Sequence, residues 1–230
     1  MLTFVAALPQ ETSPCLKSLD IEEIITCGSF RVARVSNHRT ELLLAHGGTG
    51  ERAVAAALFA MQHFKVTALV SFGLAGGTSP LAERGHLIMA TEIISAAGLG
   101  KTVAVDPKLQ SCLMEAGHKG RIPCHAGPMV TVGKVISSPQ EKAFIGSQYR
   151  ALGLDMESYF LGRLAAEKKL PFGVARAIFD PVEMPIDFPE EIGIDPKKIW
   201  KHPRLWSSLP KLTRQFHAAS CSLQSLSACL

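Results

Sequence analysis

The chain predicts an α/β fold, a three-layer α/β/α sandwich around a mixed central sheet. Three observations carry this. Strand-type and helix-type stretches alternate through most of the 230 residues, the pattern that places helices on both faces of a largely parallel or mixed sheet. Two strand-type runs end in glycine-rich turns, at 47–50 and 73–77. Hydrophobic residues make up 47% of the chain and charged ones 19%, enough apolar surface for one sizeable core.

In order, Thr3–Ala7 reads as the first strand, and Leu8–Glu11 opens either a loop or a helix. Ile21–Thr26, Phe30–Val35 and Glu41–Ala45 read as strands separated by turns at Gly28 and Asn37. His46–Gly50 then leads into an alanine-rich helix over Ala53–Phe64. A strand, a glycine loop and a helix start together can hold an anion, because loop amides and the helix N-terminus point at it; they can equally form a tight turn that needs glycine dihedrals. Gly48, Thr49 and Gly50 are therefore candidates for a phosphate or water site. Neither glycine turn has the G-x-G-x-x-G spacing of a dinucleotide site, and no G-K-[ST] follows as in a P-loop.

Ala68–Phe72 is a buried-type strand running into Gly73–Gly77, where small residues such as Ala75 and Gly76 let a ligand approach the backbone. Leu87–Ile94 reads as a strand, Pro107–Ala116 as a helix and Pro128–Ile136 as a strand. Ser138, Pro139 and Glu141 form a helix-start signal of capping-box type, with the helix ending near Tyr149. Met156, Tyr159, Phe160 and Leu164 share one helix face, with Asp155 as its N-cap and Pro171 as its stop. Phe172–Phe179 is an apolar strand interrupted by Gly173 and Arg176. Asp180 follows. An acid there lies where open α/β sheets bind ligands, and it serves equally well as the start of a turn before Pro181.

From about residue 181 the composition changes to a proline-rich and basic C-terminal extension of a single domain spanning 1–230. Helical character returns near Leu209. No Asp or Glu follows Asp195, while Lys197, Lys198, Lys201, Arg204, Lys211 and Arg214 interleave with Trp200 and Trp206. Such a stretch suits peripheral contact with an anionic membrane surface, a solvated basic face or a subunit contact. The six cysteines are scattered without a C-x-x-C pair, so neither a zinc nor a redox motif is expected. The N-terminus lacks a basic n-region, which points away from a signal peptide and towards the cytoplasm. The formal charge of +4 gives no argument for nucleic acid.

Ser71–Gly77, Leu154–Glu157 and Ala175–Asp180, with Ala7–Glu11 before them, resemble four motifs of the nucleoside phosphorylase and nucleosidase superfamily: the glycine-rich ribose loop, the M-E ribose motif, the R-A-I-S-D strand and the A-M-E-E-E opening. They occur in the family's order over about four fifths of the chain. The resemblance implies a nucleoside phosphorylase-like fold, a small-molecule purine nucleoside as substrate, no metal, no cofactor beyond inorganic phosphate as co-substrate in a phosphorylase, and at least a dimer. It implies Asp180 as the acid that protonates the departing purine and Glu157 as the group that grips the ribose hydroxyls. Glu11 would orient an attacking water in a nucleosidase, whereas in a phosphorylase phosphate would take that place beside it; Met156 would pack on sugar or base, and Val135 and Ile136 would line the base pocket. On the residues alone, Met156 reads better as an ordinary core methionine, Val135 and Ile136 are equally plain strand core, Asp155 could be no more than a cap, and Glu11 could be a solvated residue at a helix start.

The proline-rich tail resembles the hopanoid-associated branch, linked to adenine removal from adenosylhopane, which favours phosphorolysis. Hydrolysis of the methylthioadenosine/S-adenosylhomocysteine type is the alternative, and a catalytically silent nucleoside sensor is a third reading. Two positions depart from the family pattern: Leu74 stands where nucleosidases have serine, and Phe179 replaces the serine of R-A-I-S-D.

Overall fold

The computed structural model describes residues 1–37, 40–97, 101–185 and 209–230. Its strands are β1 (Leu2–Ala6), β2 (Asp20–Cys27), β3 (Phe30–Ser36), β4 (Glu41–His46), β5 (Ala68–Gly77), β6 (Leu87–Ser95), β7 (Thr102–Ala104), β8 (Cys124–Thr131), β9 (Gly153–Asp155) and β10 (Phe172–Asp180). Its helices are α1 (Pro9–Thr12), α2 (Arg52–His63), α3 (Pro107–Lys119), α4 (Pro139–Tyr149), α5 (Ser158–Glu167) and α6 (Leu209–Ala228), with a 3-10 turn at Cys15–Lys17. Among these described residues, all ten strands join one mixed sheet.

β1 runs parallel to β4 and β5, and β5 parallel to β10. The antiparallel hairpin strands β3 and β2 extend the sheet beyond β4. On the other side the sheet curls. β10 pairs with β6, β6 with β8, β8 with β9, and β9 back with β5. The expected sheet is therefore mixed, as predicted, and five of its strands also close into a ring. The two three-residue strands β7 and β9 are too short to leave a periodic signal, and β9 completes the ring.

Strand alternation builds the three layers. Phe4, Val70, Phe72, Ala175 and Ala177 face one side, where they meet Leu113 and Ala116 of α3 and Ala219, Leu223 and Leu226 of α6. Val5, Leu69, Val174 and Ile178 face the other side and meet the alanines of α2 and Tyr159, Leu161 and Leu164 of α5. The rings of Phe4 and Phe72 meet edge-on at 5.2 Å between centroids; burying each is worth about 1.5–3 kcal/mol. A smaller cluster of Val130, Ile136, Ala151 and Leu154 lies where α4 returns to the sheet.

Three boundaries differ from the sequence reading. β5 does not stop at Phe72 but continues through the glycines to Gly77, because β10 and β9 pair with that stretch. The strand expected at Pro128–Ile136 runs instead from Cys124 to Thr131, so Val135 and Ile136 lie in the loop before α4. Asp155 ends β9, and α5 begins at Ser158. The Asp155 carboxylate still accepts from the Ser158 amide at 3.3 Å, so it caps α5 from two residues before the N-cap, which is Glu157.

β1, β4, β5 and β10 are mutually parallel, and their carboxyl ends lie side by side. Ala6 pairs with His46, and Asp180 with Gly76. β9 brings Asp155 to the same edge, where Thr131 pairs with Asp155 and Gly76 with Leu154.

Candidate active site

A cavity of about 120 Å³ opens at this edge, and Glu11, Glu157 and Asp180 all line it. The sequence offered these three acids as separate points on the chain; the sheet brings them together. Asp155, Met156 and Thr49 are also in the wall, as are Ala75 and Gly76 at the end of β5 and Val135 and Ile136 in the loop before α4. Gly48 and Gly50 lie outside the lining: Gly48 ties its amide to the Ala7 carbonyl at 2.8 Å, and Gly50 gives its amide to Glu157 Oε1 at 3.1 Å. The amide expected to meet phosphate thus already meets a carboxylate.

Glu11 is fixed by the chain turning around it. As α1 begins, its Oε2 accepts from the amides of Ala7 (2.9 Å) and Leu8 (2.7 Å), and its Oε1 accepts from the Leu74 amide at 2.8 Å. Leu74 therefore contributes its backbone, and the absence of a serine hydroxyl leaves this contact intact. Gly73 makes it sterically feasible. With φ +137°, a Cβ there would lie 2.3 Å from Glu11 Oε1. Burial pushes the Glu11 pKa up, against the opposing pull of Arg176 and the three amides.

Arg176 is the residue that sequence reasoning passed over. It sits in the middle of β10 with 1% exposure. Its Nη2 donates to Ser71 Oγ (2.7 Å) and Glu157 Oε2 (3.1 Å) and lies 3.0 Å from Asp155 Oδ2; Nη1 reaches the Leu74 carbonyl at 3.3 Å. The Ser158 hydroxyl bridges Asp155 and Ser71, and Thr131 Oγ1 donates to Asp155 Oδ1 at 2.7 Å. One guanidinium thus holds Asp155 and Glu157 and acts on Glu11. A charged residue in an apolar strand was the available signal, since buried arginines are almost always paired.

Three carboxylates around one guanidinium leave excess negative charge, and the site relieves it by retaining protons. Glu157 is pushed up to about 7, first by burial and then by Asp155 and Glu11, against Arg176 and the Gly50 amide. Asp180 is pushed up to about 6 by burial, opposed by the ammonium of Lys142 from α4, with which it pairs. His46, beside the glycine loop, hydrogen-bonds through Nδ1 with Thr12 Oγ1 at 3.0 Å. Burial first and Arg31 second push it down to about 4, so it is neutral and structural. Among the described residues no group of three or more metal-ligating side chains occurs.

A ring-closed mixed sheet between two helical layers, with three acids gathered at the strands' carboxyl ends, defines an α/β protein of the phosphorylase superfamily. That family's sequence signature matches residues 2–195, and the chain belongs to it. More particularly, it is 27% identical over 216 residues to the aminodeoxyfutalosine nucleosidase of Campylobacter jejuni, covering 86% of this chain and 93% of that one. It is 23% identical over 198 residues to the 5'-methylthioadenosine/S-adenosylhomocysteine nucleosidase of Staphylococcus epidermidis, covering 78% and 86%. The fold matches the nucleosidase of the latter name from Neisseria meningitidis, solved with methylthio-immucillin-A, at a TM-score of 0.74 with 15% identity, over 100% of this chain and 99% of that one.

The basic tail stands apart. Trp200, Trp206, Lys197, Lys198, Lys201 and Arg204 lie outside the described residues. No helix among the described residues is long and apolar enough to cross a membrane.

Proposed function

We propose that the chain hydrolyses the N-ribosyl bond of an adenine nucleoside, releasing the free base. The observation that carries this reading is the single cavity shared by Glu11, Glu157 and Asp180. Protonated Asp180 donates its proton to purine N7 as the C1'–N9 bond breaks and the bonding pair moves into the base. Glu157 accepts from the ribose hydroxyls and, with Glu11 and Asp155, faces the positive charge that develops on C1' and the ring oxygen. Water attacks C1' and passes its proton to Glu11, whose raised pKa makes it the better base. The cavity is smaller than the ~300–1,000 Å³ of typical ligand pockets.

Hydrolysis takes precedence over the phosphorolysis that the tail suggested. Phosphate would add negative charge beside three carboxylates. Arg176 is already committed to Asp155, Glu157 and Ser71, and the Gly50 amide to Glu157. The relatives from Campylobacter jejuni and Staphylococcus epidermidis are both named as nucleosidases, and neither name refers to a hopanoid. The test is adenine release from 5'-methylthioadenosine and S-adenosylhomocysteine with and without phosphate. Phosphate-independent turnover giving the free sugar is expected; a strict phosphate requirement with a ribosyl phosphate product would overturn the reading.

The resemblance also supports a dimer: light scattering is expected to give at least twice the 24.7 kDa chain mass, and the mass of a single chain would reject it. Peripheral membrane contact through the tail remains a separate proposal. Liposome co-sedimentation of the whole chain against a version ending at Asp195 tests it, and equal binding of the two rejects it.

A further inference from the structure

We propose that Lys142 is a positioning residue for the acid. Its ammonium fixes the Asp180 carboxyl from behind the cavity and stabilises the carboxylate left when the proton has gone to the base. This inference rests on the reading of Asp180 above. Lys142 is 0% exposed, and lysine is almost never fully buried unless paired. An ammonium has three donors and no acceptor, and each finds a partner: Asp180 Oδ2, the Met184 carbonyl at 3.0 Å and the Pro181 carbonyl at 3.4 Å. The side chain does not line the cavity, whereas Asp180 does. It therefore acts through Asp180 and not on substrate.

The fold fixes this reach. Ser138 caps α4 by accepting from the Glu141 amide at 3.3 Å, which sets Lys142 in the helix's first turns. One turn on, Gly146 lies against the end of β5 so closely that an added Cβ would sit 2.4 Å from the Thr78 carbonyl. The helix is thereby pinned beside the strand whose Gly76 pairs with Asp180. Lys142 occupies Oδ2, and among the described residues no second side chain is seen to donate to the carboxyl, which leaves Oδ1 to carry the proton that is transferred. Around this carboxyl, α4 contributes Lys142 and β5 contributes the backbone of Gly76. Glu11 and Glu157 share the cavity but are tied to Arg176 and the backbone amides. The opposing pulls of burial and Lys142 leave Asp180 protonated in weakly acidic solution and readily ionised once it has donated.

The reaction balances without a further reactant. The proton leaves Asp180 for N7, the C1'–N9 pair moves to the purine, water supplies the hydroxyl at C1', and its second proton restores the acid through Glu11 and solvent.

The test compares Lys142→Met, Lys142→Arg and the unaltered enzyme by kcat/KM against pH, for an adenine nucleoside and for p-nitrophenyl riboside, whose leaving group needs no protonation. In Lys142→Met the alkaline limb for adenine release is expected to move upward by about 1–3 pH units. At pH 5, where Asp180 holds its proton in both proteins, the rate should fall roughly tenfold or more, while p-nitrophenyl riboside cleavage changes less than threefold. Lys142→Arg should return the limb towards its original position. Equal losses on both substrates with an unmoved limb would make Lys142 only a staple of residues 181–185 and overturn the inference. Unchanged adenine release in Asp180→Asn would instead overturn the reading beneath it. Nitrogen-15 lysine NMR of the unaltered protein needs no variant to fold. A solvent-protected Nζ signal that shifts as Asp180 titrates supports the pairing; an ammonium exchanging as fast as surface lysines, unresponsive over the same range, contradicts it.

Discussion

Asp180 and Glu157 are acids kept from full ionisation by their surroundings, and this makes their behaviour with pH predictable. In the proposed reaction Asp180 holds its proton to assist the departing base, and it is pushed up to about 6. kcat/KM for adenine release should therefore fall as pH rises above about 6; a flat profile up to pH 8 would remove Asp180 from proton transfer. Stability follows the same logic. Glu157 has an ordinary value of 4.5 and is pushed up to about 7 in the fold. Between those values the folded chain keeps a proton that the unfolded chain has released, so raising the pH favours unfolding. The contribution is intact below about 4.5 and is lost progressively as pH rises towards 7. Urea unfolding at pH 5 and pH 7 should show wild type losing stability over that interval, and Glu157→Gln should lose less. An equal or greater loss in the variant would mean that Glu157 is not the group retaining the proton. Arg176 keeps Asp155 as a partner in that variant, so no unpaired cation is created.

β5 carries the clearest link between backbone and chemistry. It pairs through its glycine stretch, so β10 and β9 can both reach it, and Gly73 admits the Glu11 carboxylate against its backbone. Gly73→Ala places a Cβ 2.3 Å from Glu11 Oε1 at φ +137°. It should destabilise the fold by about 1–3 kcal/mol, measured by urea unfolding, and displace the carboxylate proposed to activate water. Unchanged stability and turnover would show that Glu11 is not held there. The sequence revealed the strands with clear alternation or apolar runs, the glycine turn before α2 and the capped start of α4, because these rest on local periodicity and capping. β7 and β9 escaped because three residues carry no period, and β5 read as ending at Phe72 because glycine normally weakens a strand. The acids Glu11, Glu157 and Asp180 were legible through motifs. Their two cations were not: Arg176 looked like an interruption in a strand, and Lys142 sits between Glu141 and Ala143 in a helix where a lysine usually faces water. Only tertiary packing buries it.

The whole molecule does for these groups what no single element can. Parallel β1, β4, β5 and β10 deliver their carboxyl ends to one edge, and the ring closure through β6, β8 and β9 folds Asp155 and the loop before α4 over it. Apolar layers on both faces exclude water from the strands beneath, so each charge at the edge meets a partner or retains a proton. In the proposed reaction the two halves of the chemistry, protonating the base and stabilising the sugar, fall to residues 23 positions apart (157 to 180) and a third acid near the N-terminus. The most direct measurement is the initial rate of adenine release from 5'-methylthioadenosine in phosphate-free buffer, wild type against Asp180→Asn, with both proteins shown folded by circular dichroism. Steady turnover by wild type and a loss of roughly 10²-fold or more in the variant are predicted. Near-equal rates in the two proteins, or no turnover by wild type until phosphate is added, would contradict the account.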